Sequence, residues 1–154
     1  FGVPITAQSL GVMLCGTVLG ARRGALAVGL FLLLVALGLP LLAGGRGGLG
    51  VFASPTVGFL VGFPVAAFVT GWITERWRSA PVGIAAGVAA VIGGIVVLYA
   101  FGIVGMSVVM GKTLSEAAML VTAFIPGDLL KAGIAGMLTS SLVKARPGSV
   151  LSRS

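Results

Sequence analysis

The sequence predicts an all-α membrane protein, in which a bundle of helices crosses the lipid bilayer several times and forms one domain over residues 1–154. Hydrophobic residues make up 58% of the 154 residues and charged residues only 8%, whereas a soluble protein carries about 25% charged residues. The apolar residues also form continuous runs, and they do not alternate with polar residues as the strands of a membrane barrel do. Too few polar side chains remain to cover a water-soluble globule, so lipid is the solvent that fits this surface.

Five apolar segments are predicted to be spans, because a spanning helix needs about 20 mainly apolar residues. The first segment is slightly short and ends at Arg22 and Arg23, and the second ends at Pro40, since proline interrupts a helix. A glycine-rich loop over 41–55 precedes the third segment, which the polar stretch 74–79 closes. The five predicted spans are residues 5–20, 24–39, 56–73, 82–101 with a continuation towards 109, and 117–144.

The fifth segment is interrupted by Pro126 and Gly127. It is therefore predicted to be a short first segment followed by a helix that starts at Pro126. Proline fits the first turn of a helix because its missing N–H has no partner there in any case.

Small residues recur at four-residue spacing in the other predicted spans. This spacing favours close packing between membrane helices, because glycine lets two backbones approach each other. The pairs are Gly16 and Gly20, Gly58 and Gly62, and Gly83 and Gly87.

The uneven charge orients the predicted bundle. Ten lysines and arginines stand against three acidic residues, and the cytoplasmic loops of membrane proteins carry the excess of basic residues. One set of alternate loops holds most of the basic residues, whereas the other holds only Arg46 and Lys112. We therefore expect the more basic side and the C-terminus to be cytoplasmic, the glycine-rich loop to lie outside, and Trp72 and Trp77 to mark the inner interface. The basic residues of the predicted cytoplasmic side are Arg22, Arg23, Arg76, Arg78, Lys144, Arg146 and Arg153.

Composition and motifs exclude several kinds of chemistry. The chain has no histidine and one cysteine, so His-dependent nucleophilic catalysis, a cysteine cluster and an intrachain disulfide are ruled out. The G-K-T at 111–113 lacks the preceding glycine of a phosphate-binding loop, since that position is Met106, and the G-R-G-G-L-G at 45–50 follows a membrane helix rather than a strand. The scattered basic residues do not suit nucleic acid. We therefore expect no catalytic residue, metal, cofactor or nucleic-acid partner, and any uphill transport needs energy from partners or an ion gradient.

Asp128 and Lys131 are the informative charges, because both lie within the last apolar segment. Two charges inside a bilayer cost about 5–7 kcal/mol before pairing, and their i, i+3 spacing places them on one helix face. They lie about one turn inside the outer end of the predicted helix, where they are reachable from outside. Either they form a structural ion pair, or they bind a neutral polar ligand. An amide or urea group offers N–H donors to the carboxylate and a carbonyl to the ammonium.

Other polar residues are candidates for ligand contacts on the outer side. Arg46 is the basic residue of the outer glycine-rich loop, and it either receives a ligand carboxylate or is a solvated loop arginine. Gln8 and Thr6, at the outer end of the first span, either hydrogen-bond a ligand or cap that helix. Tyr99 is interpreted as a packing residue.

Several segments resemble a known family, in the same order and over roughly residues 2–145. The start, V-P-I-T-A-Q-S-L-G-V at 3–12, resembles the V-P-I-T-x-Q stretch of the BioY family. The segment F-I-P-G-D-L-L-K at 124–131 is similar to that family's P-G-D-x-x-K motif. Further similar segments are G-L-P at 38–40, A-G-G-R-G-G-L-G at 43–50 and S-P-T-V-G-F at 54–59.

The resemblance implies a biotin-specific substrate-binding (S) component of an energy-coupling-factor (ECF) transporter in the bacterial plasma membrane. It implies that Asp128 and Lys131 bind biotin, whose cyclic urea suits such a pair, and that a transmembrane T component and two ATPase subunits are partners. Family members have six spans, so we expect a first helix to be missing before Phe1. Two alternatives stay open: a carrier for another small amide- or urea-bearing vitamin, and a structural membrane subunit in which the Asp–Lys pair only stabilises packing.

Overall fold

The computed structural model describes residues 8–40, 47–53 and 57–153, and every regular element in these ranges is helical. A π-helical segment, Ile92–Val97, joins the α-helices Val82–Val91 and Leu98–Met110, so that Val82–Met110 is one helix of 29 residues. Short 3₁₀ turns occupy Leu49–Ala53, Pro147–Ser149 and Leu151–Arg153. The predicted all-α fold class is confirmed. Within the described ranges, the α-helices are α1 (Gln8–Leu19), α2 (Ala21–Ala36), α3 (Val57–Arg76), α4 (Val82–Val91), α5 (Leu98–Met110), α6 (Leu114–Thr122) and α7 (Ile125–Ala145).

The helices differ in how far they can reach across a bilayer. Within the described ranges, α3 and the joined helix Val82–Met110 are each long and apolar enough to span. Helices α6 and α7 pass the same test only together, and they are bent by 58° at the break between them. Helix α1 is apolar but has 12 residues, and α2 has 16. The count of five spans therefore stays a prediction.

Helix α2 begins earlier than predicted, directly after a turn at Gly20. Gly20 has a φ of 91°, a left-handed conformation that favours glycine, and it lets the chain reverse between α1 and α2 in one residue. Arg22 and Arg23 consequently lie in the first turn of α2, and the prediction that they form a loop is wrong. The turn packs tightly on α3, because a Cβ added to Gly71 would lie 2.3 Å from the carbonyl carbon of Gly20.

Two other helix ends differ from the predicted ends for local reasons. Helix α3 continues into the predicted closing stretch as far as Arg76, because Thr74 donates its hydroxyl to the carbonyl of Thr70 at 2.8 Å and stays within the helix. Helix α2 stops at Ala36, before Pro40. The chain leaves it through Gly38, which has a φ of 110°.

Helix α3 is central and packs against α1, α2, α4 and α5. The predicted close packing at glycines is confirmed at Gly16 and Gly58, where an added Cβ would lie 2.7 Å from the Ala67 carbonyl oxygen and 2.1 Å from the Phe101 carbonyl oxygen, respectively. One buried apolar cluster joins α1, α2 and α3, with Val12, Val28, Val35, Leu60 and Phe63 among its members. A second cluster joins α1 with the helices from α4 to α7, with Met13, Tyr99, Met106, Val121 and Phe124 among its members.

The segments that carry the predicted cytoplasmic charges meet at one end of the bundle, named here the Arg78 end. There the backbone N–H of Ala21 donates to Glu75 Oε1 at 2.5 Å. Arg78 Nη2 donates to the carbonyl of Ser152 at 3.4 Å, and the Ser152 hydroxyl donates to the carbonyl of Thr17. The opposite end, where α1 and α7 begin, is named the Asp128 end.

Candidate functional site

The break between α6 and α7 places Asp128 at the start of a helix. The helix begins at Ile125, one residue before the predicted Pro126, which lies in its first turn. The backbone N–H of Asp128 donates to the carbonyl of Phe124 at 2.9 Å. A carboxylate in the first turn of a helix is favoured by the helix dipole, so local structure helps to hold this charge in an apolar region.

Asp128 and Lys131 form an ion pair, as their spacing predicts. Lys131 Nζ lies 3.2 Å from Asp128 Oδ1, and the side chains are 18% and 8% exposed, respectively. Attraction between charges is stronger in such a poorly solvated place than in water, and the cost of removing each charge from water is also larger. The pair therefore needs further polar partners.

Ser9 and Tyr99 supply such partners from two other helices. The Ser9 hydroxyl donates to Asp128 Oδ1 at 3.1 Å and accepts from Lys131 Nζ at 3.1 Å. The Tyr99 hydroxyl donates to Asp128 Oδ2. Both carboxylate oxygens thus receive protein donors. Ser9, Tyr99, Asp128 and Lys131 are called the Asp128 network below.

Tyr99 belongs to α5, directly after the π-helical segment, and from there its side chain reaches the Asp128 network. A π turn closes with i to i+5 hydrogen bonds, and such turns often lie at functional sites. Because of this longer hydrogen-bond spacing, the π-helical segment rotates the side chains that follow it, relative to those of a continuous α-helix. Tyr99 is the second residue after the end of the segment. Phe59 packs edge-on against the tyrosine ring, with the ring centroids 6.3 Å apart and the planes at 85°. This packing orients the ring so that its hydroxyl meets Asp128.

The sequence analysis missed Tyr99 and Ser9 as members of the site. Tyr99 is buried, as its interpretation as a packing residue requires, but it also hydrogen-bonds Asp128. A usable signal was present, because a buried tyrosine hydroxyl usually has a hydrogen-bond partner. Ser9 follows directly after the candidate residue Gln8 in a polar group at the start of an apolar span.

Of the remaining predicted site residues, the structure describes Gln8 but neither Thr6 nor Arg46. Gln8 is the first residue of α1, directly before Ser9, and it is half-buried. Thr6 and Arg46 lie outside the described residues. The structure therefore brings Asp128 and Lys131 together, and it places Gln8 beside a residue of the network.

The network can bind groups that combine N–H donors with a carbonyl. An ionised carboxylate has about four lone-pair sites, and Ser9, Tyr99 and Lys131 occupy three of those of Asp128, so the carboxylate can accept a further hydrogen bond from a ligand. The lysine ammonium donates hydrogen bonds and accepts none. Among the residues that the structure describes, no group of three or more Asp, Glu, Cys or His side chains is arranged to hold a metal ion.

Comparison of the sequence with known proteins identifies relatives that agree with one another. The model of the BioY family matches residues 1–148. The chain is 52% identical to a biotin transporter BioY of Rhodobacter capsulatus, over 99% of this chain and 85% of that protein. It is 56% identical to a biotin transporter BioY of Rhizobium etli, over 94% of this chain and 80% of that protein.

A solved structure is similar to this fold. It is the S-component for biotin from an ECF-type ABC transporter, which matches with a TM-score of 0.87 and 28% sequence identity. The match covers 92% of this chain and 76% of that one. Because the family model covers nearly the whole sequence and the relatives agree with it, this chain belongs to the BioY family.

Proposed function

We propose that this protein captures biotin in the membrane as the S component of an ECF-type transporter. The observation that carries the proposal is the ion pair between Asp128 and Lys131, which is largely buried in a chain of the BioY family. The relatives named above are biotin transporters. Since the family consists of transporter components, the expectation that the chain is not an enzyme is confirmed.

Asp128 and Lys131 bind the cyclic urea of biotin in this proposal. The urea has two N–H groups and one carbonyl oxygen, so the carboxylate accepts from one N–H group through its remaining lone pair and the ammonium donates to the oxygen. Hydrogen bonds to ionised groups are shorter and stronger than those between neutral groups. The apolar cluster around Tyr99 and Phe124 excludes water from one side of the site, which strengthens these interactions further.

Arg46, Gln8 and Thr6 extend the proposed binding site towards the biotin tail. The tail ends in a carboxylate, and an arginine guanidinium binds carboxylates through two parallel hydrogen bonds. We assign this role to Arg46, and we assign neutral hydrogen bonds to Gln8 and Thr6 at the start of the first span.

The proposed orientation places the Asp128 end outside and the Arg78 end, with the C-terminus, in the cytoplasm. The positive-inside rule supports it, because Arg22, Arg23, Arg76 and Arg78 lie on segments that meet at the Arg78 end. The chain acts as one membrane-embedded domain, and a T component with two ATPase subunits supplies the energy for uptake.

Binding of labelled biotin to the purified protein tests this function. We expect Asp128→Asn or Lys131→Ala to lower biotin affinity about 100-fold, because each removes charge-assisted hydrogen bonds worth about 1.5–3 kcal/mol. Glu116→Gln makes the same chemical change on an exposed carboxylate and should leave affinity unchanged. Wild-type protein that binds a different amide-bearing vitamin and no biotin would support the alternative carrier. Folded protein that binds no such ligand would support a structural subunit.

A further inference from the structure

We propose that Ser9 and Tyr99 are positioning residues, which hold Asp128 and Lys131 in the geometry that receives the ligand. The inference rests on the proposed function, since the ligand is biotin. Neither residue is assigned a contact with biotin. Each acts through the carboxylate of Asp128, and Ser9 acts through Lys131 as well.

Ser9 hydrogen-bonds both charged groups and so holds them at a fixed distance from each other. Its oxygen lies 3.1 Å from Asp128 Oδ1 and 3.1 Å from Lys131 Nζ, while the ammonium and the carboxylate are themselves 3.2 Å apart. The three polar groups form a closed triangle. Because Ser9 belongs to α1 and the charges belong to α7, the triangle also ties the beginnings of these two helices together.

Tyr99 controls the second oxygen of the same carboxylate. Its hydroxyl donates to Oδ2, whereas Ser9 and Lys131 act on Oδ1. Rotation about the Cβ–Cγ bond displaces both oxygens of a carboxylate, so donors on both oxygens restrict this rotation more than donors on one oxygen do. The lone pair that remains for the ligand consequently points in a fixed direction.

A fixed carboxylate improves affinity because little orientational freedom remains to be lost on binding. Immobilising a flexible polar side chain when a ligand binds lowers the affinity. In the Asp128 network this ordering takes place on folding, through packing of Tyr99 against Phe59 and through the α1–α7 contact at Ser9. Ser9 and Tyr99 therefore select ligands with an N–H group that matches the fixed direction.

The test measures the biotin dissociation constant of variants that lose a single oxygen atom. Ser9→Ala and Tyr99→Phe remove only the hydroxyl oxygen, and we expect each to weaken biotin binding about 10-fold, the effect of one hydrogen bond to a charged group. Ser9→Thr keeps a hydroxyl at the same place and should restore affinity to within about threefold of wild type. The thermal melting temperature without biotin is measured for every variant.

Thr139→Val is the matched control, because it removes a hydroxyl contact between the same two helices. Thr139 Oγ1 lies 2.8 Å from Thr17 Oγ1 and is fully buried, about 16 Å further along α7 than Asp128 by helix geometry. We expect Thr139→Val to lower the melting temperature at least as much as Ser9→Ala does, and to leave biotin affinity unchanged.

The possible results separate the two proposals. Unchanged affinity in both Ser9→Ala and Tyr99→Phe, with wild-type protein binding biotin, overturns the positioning role and leaves the proposed function intact. Equal losses of affinity in Ser9→Ala and Thr139→Val, or no rescue by a folded Ser9→Thr variant, also overturn it, because the effect then follows from helix packing in general. Wild-type protein that does not bind biotin overturns the proposed function, and the inference with it.

Discussion

Two hydroxyl networks connect α1 with α7, one at each end of the bundle, and they differ in charge. At the Arg78 end, Thr17 contacts Thr139 through its hydroxyl and accepts from Ser152 through its carbonyl. At the Asp128 end, Ser9 contacts an ion pair. The first network joins neutral groups of the protein to one another. The second holds two charges that a packing contact alone does not require.

The difference in charge favours a role in stability for the neutral network and agrees with the binding role proposed for the charged one. Neutral hydroxyls that find backbone or hydroxyl partners satisfy their own hydrogen-bonding needs at a modest net gain. A buried ion pair, in contrast, is weak evidence for stability, because the cost of desolvation offsets most of the attraction. The Asp128 end therefore carries charges that stability does not explain, and the biotin binding proposed above gives them a role.

The largest expected effect on the free energy of unfolding comes from removing Lys131, and it separates stability from binding at the Asp128 end. Lys131→Met leaves Asp128 buried without its lysine, so the free energy of unfolding should fall by about 3–5 kcal/mol. Adding Asp128→Leu removes the uncompensated charge, so the double variant should regain most of the lost stability while binding no biotin; the full recovery is prevented by the Tyr99 hydroxyl, which loses its acceptor. Thermal melting and biotin binding of both variants measure this. A double variant less stable than Lys131→Met would show that the pair is a structural element.

The next effect tests close packing at the Arg78 end. Gly71→Ala places a Cβ 2.3 Å from the carbonyl carbon of Gly20, and backbone cannot move aside cheaply, so stability should fall by about 1–3 kcal/mol. Gly29→Ala is the control, because nothing lies within 4 Å of its Cβ position in α2, and alanine favours a helix by about 0.5–1 kcal/mol over glycine. Melting temperatures should move in opposite directions, with biotin affinity unchanged in both. A Gly71→Ala protein as stable as wild type would contradict the tight turn.

The smallest expected effect on stability comes from the network of neutral groups at the Arg78 end. Ser152→Ala removes the hydroxyl that donates to the carbonyl of Thr17, so stability should fall by about 1 kcal/mol, the net value of one buried hydrogen bond. Biotin affinity should stay within about twofold of wild type, because the change lies at the far end of α1 from Ser9. Loss of biotin affinity without loss of melting temperature would show that the two networks are coupled.

The parts of the site that the sequence predicted are those that depend on neighbouring residues. Asp128 and Lys131 are three positions apart on one helix, so their pairing follows from helix geometry once the segment is known to be helical. The break before α7 is likewise a local property of Pro126. Tyr99 and Ser9 are separated from Asp128 by 29 and 119 positions, respectively. No local pattern specifies contacts over such separations.

The features of the fold also fall into two groups, those that local sequence patterns predict and those that depend on contacts between distant segments. Composition and continuous apolar runs by themselves determined that the chain is a bundle of membrane helices, because each residue's preference for lipid or water acts independently of its neighbours in space. The tertiary structure was needed to establish that Gly20 turns the chain against Gly71, that α3 lies at the centre, and that a tyrosine and a serine from separate helices hold Asp128 and Lys131. These arrangements depend on which helix surfaces fit together, and that fit is a property of several segments at once.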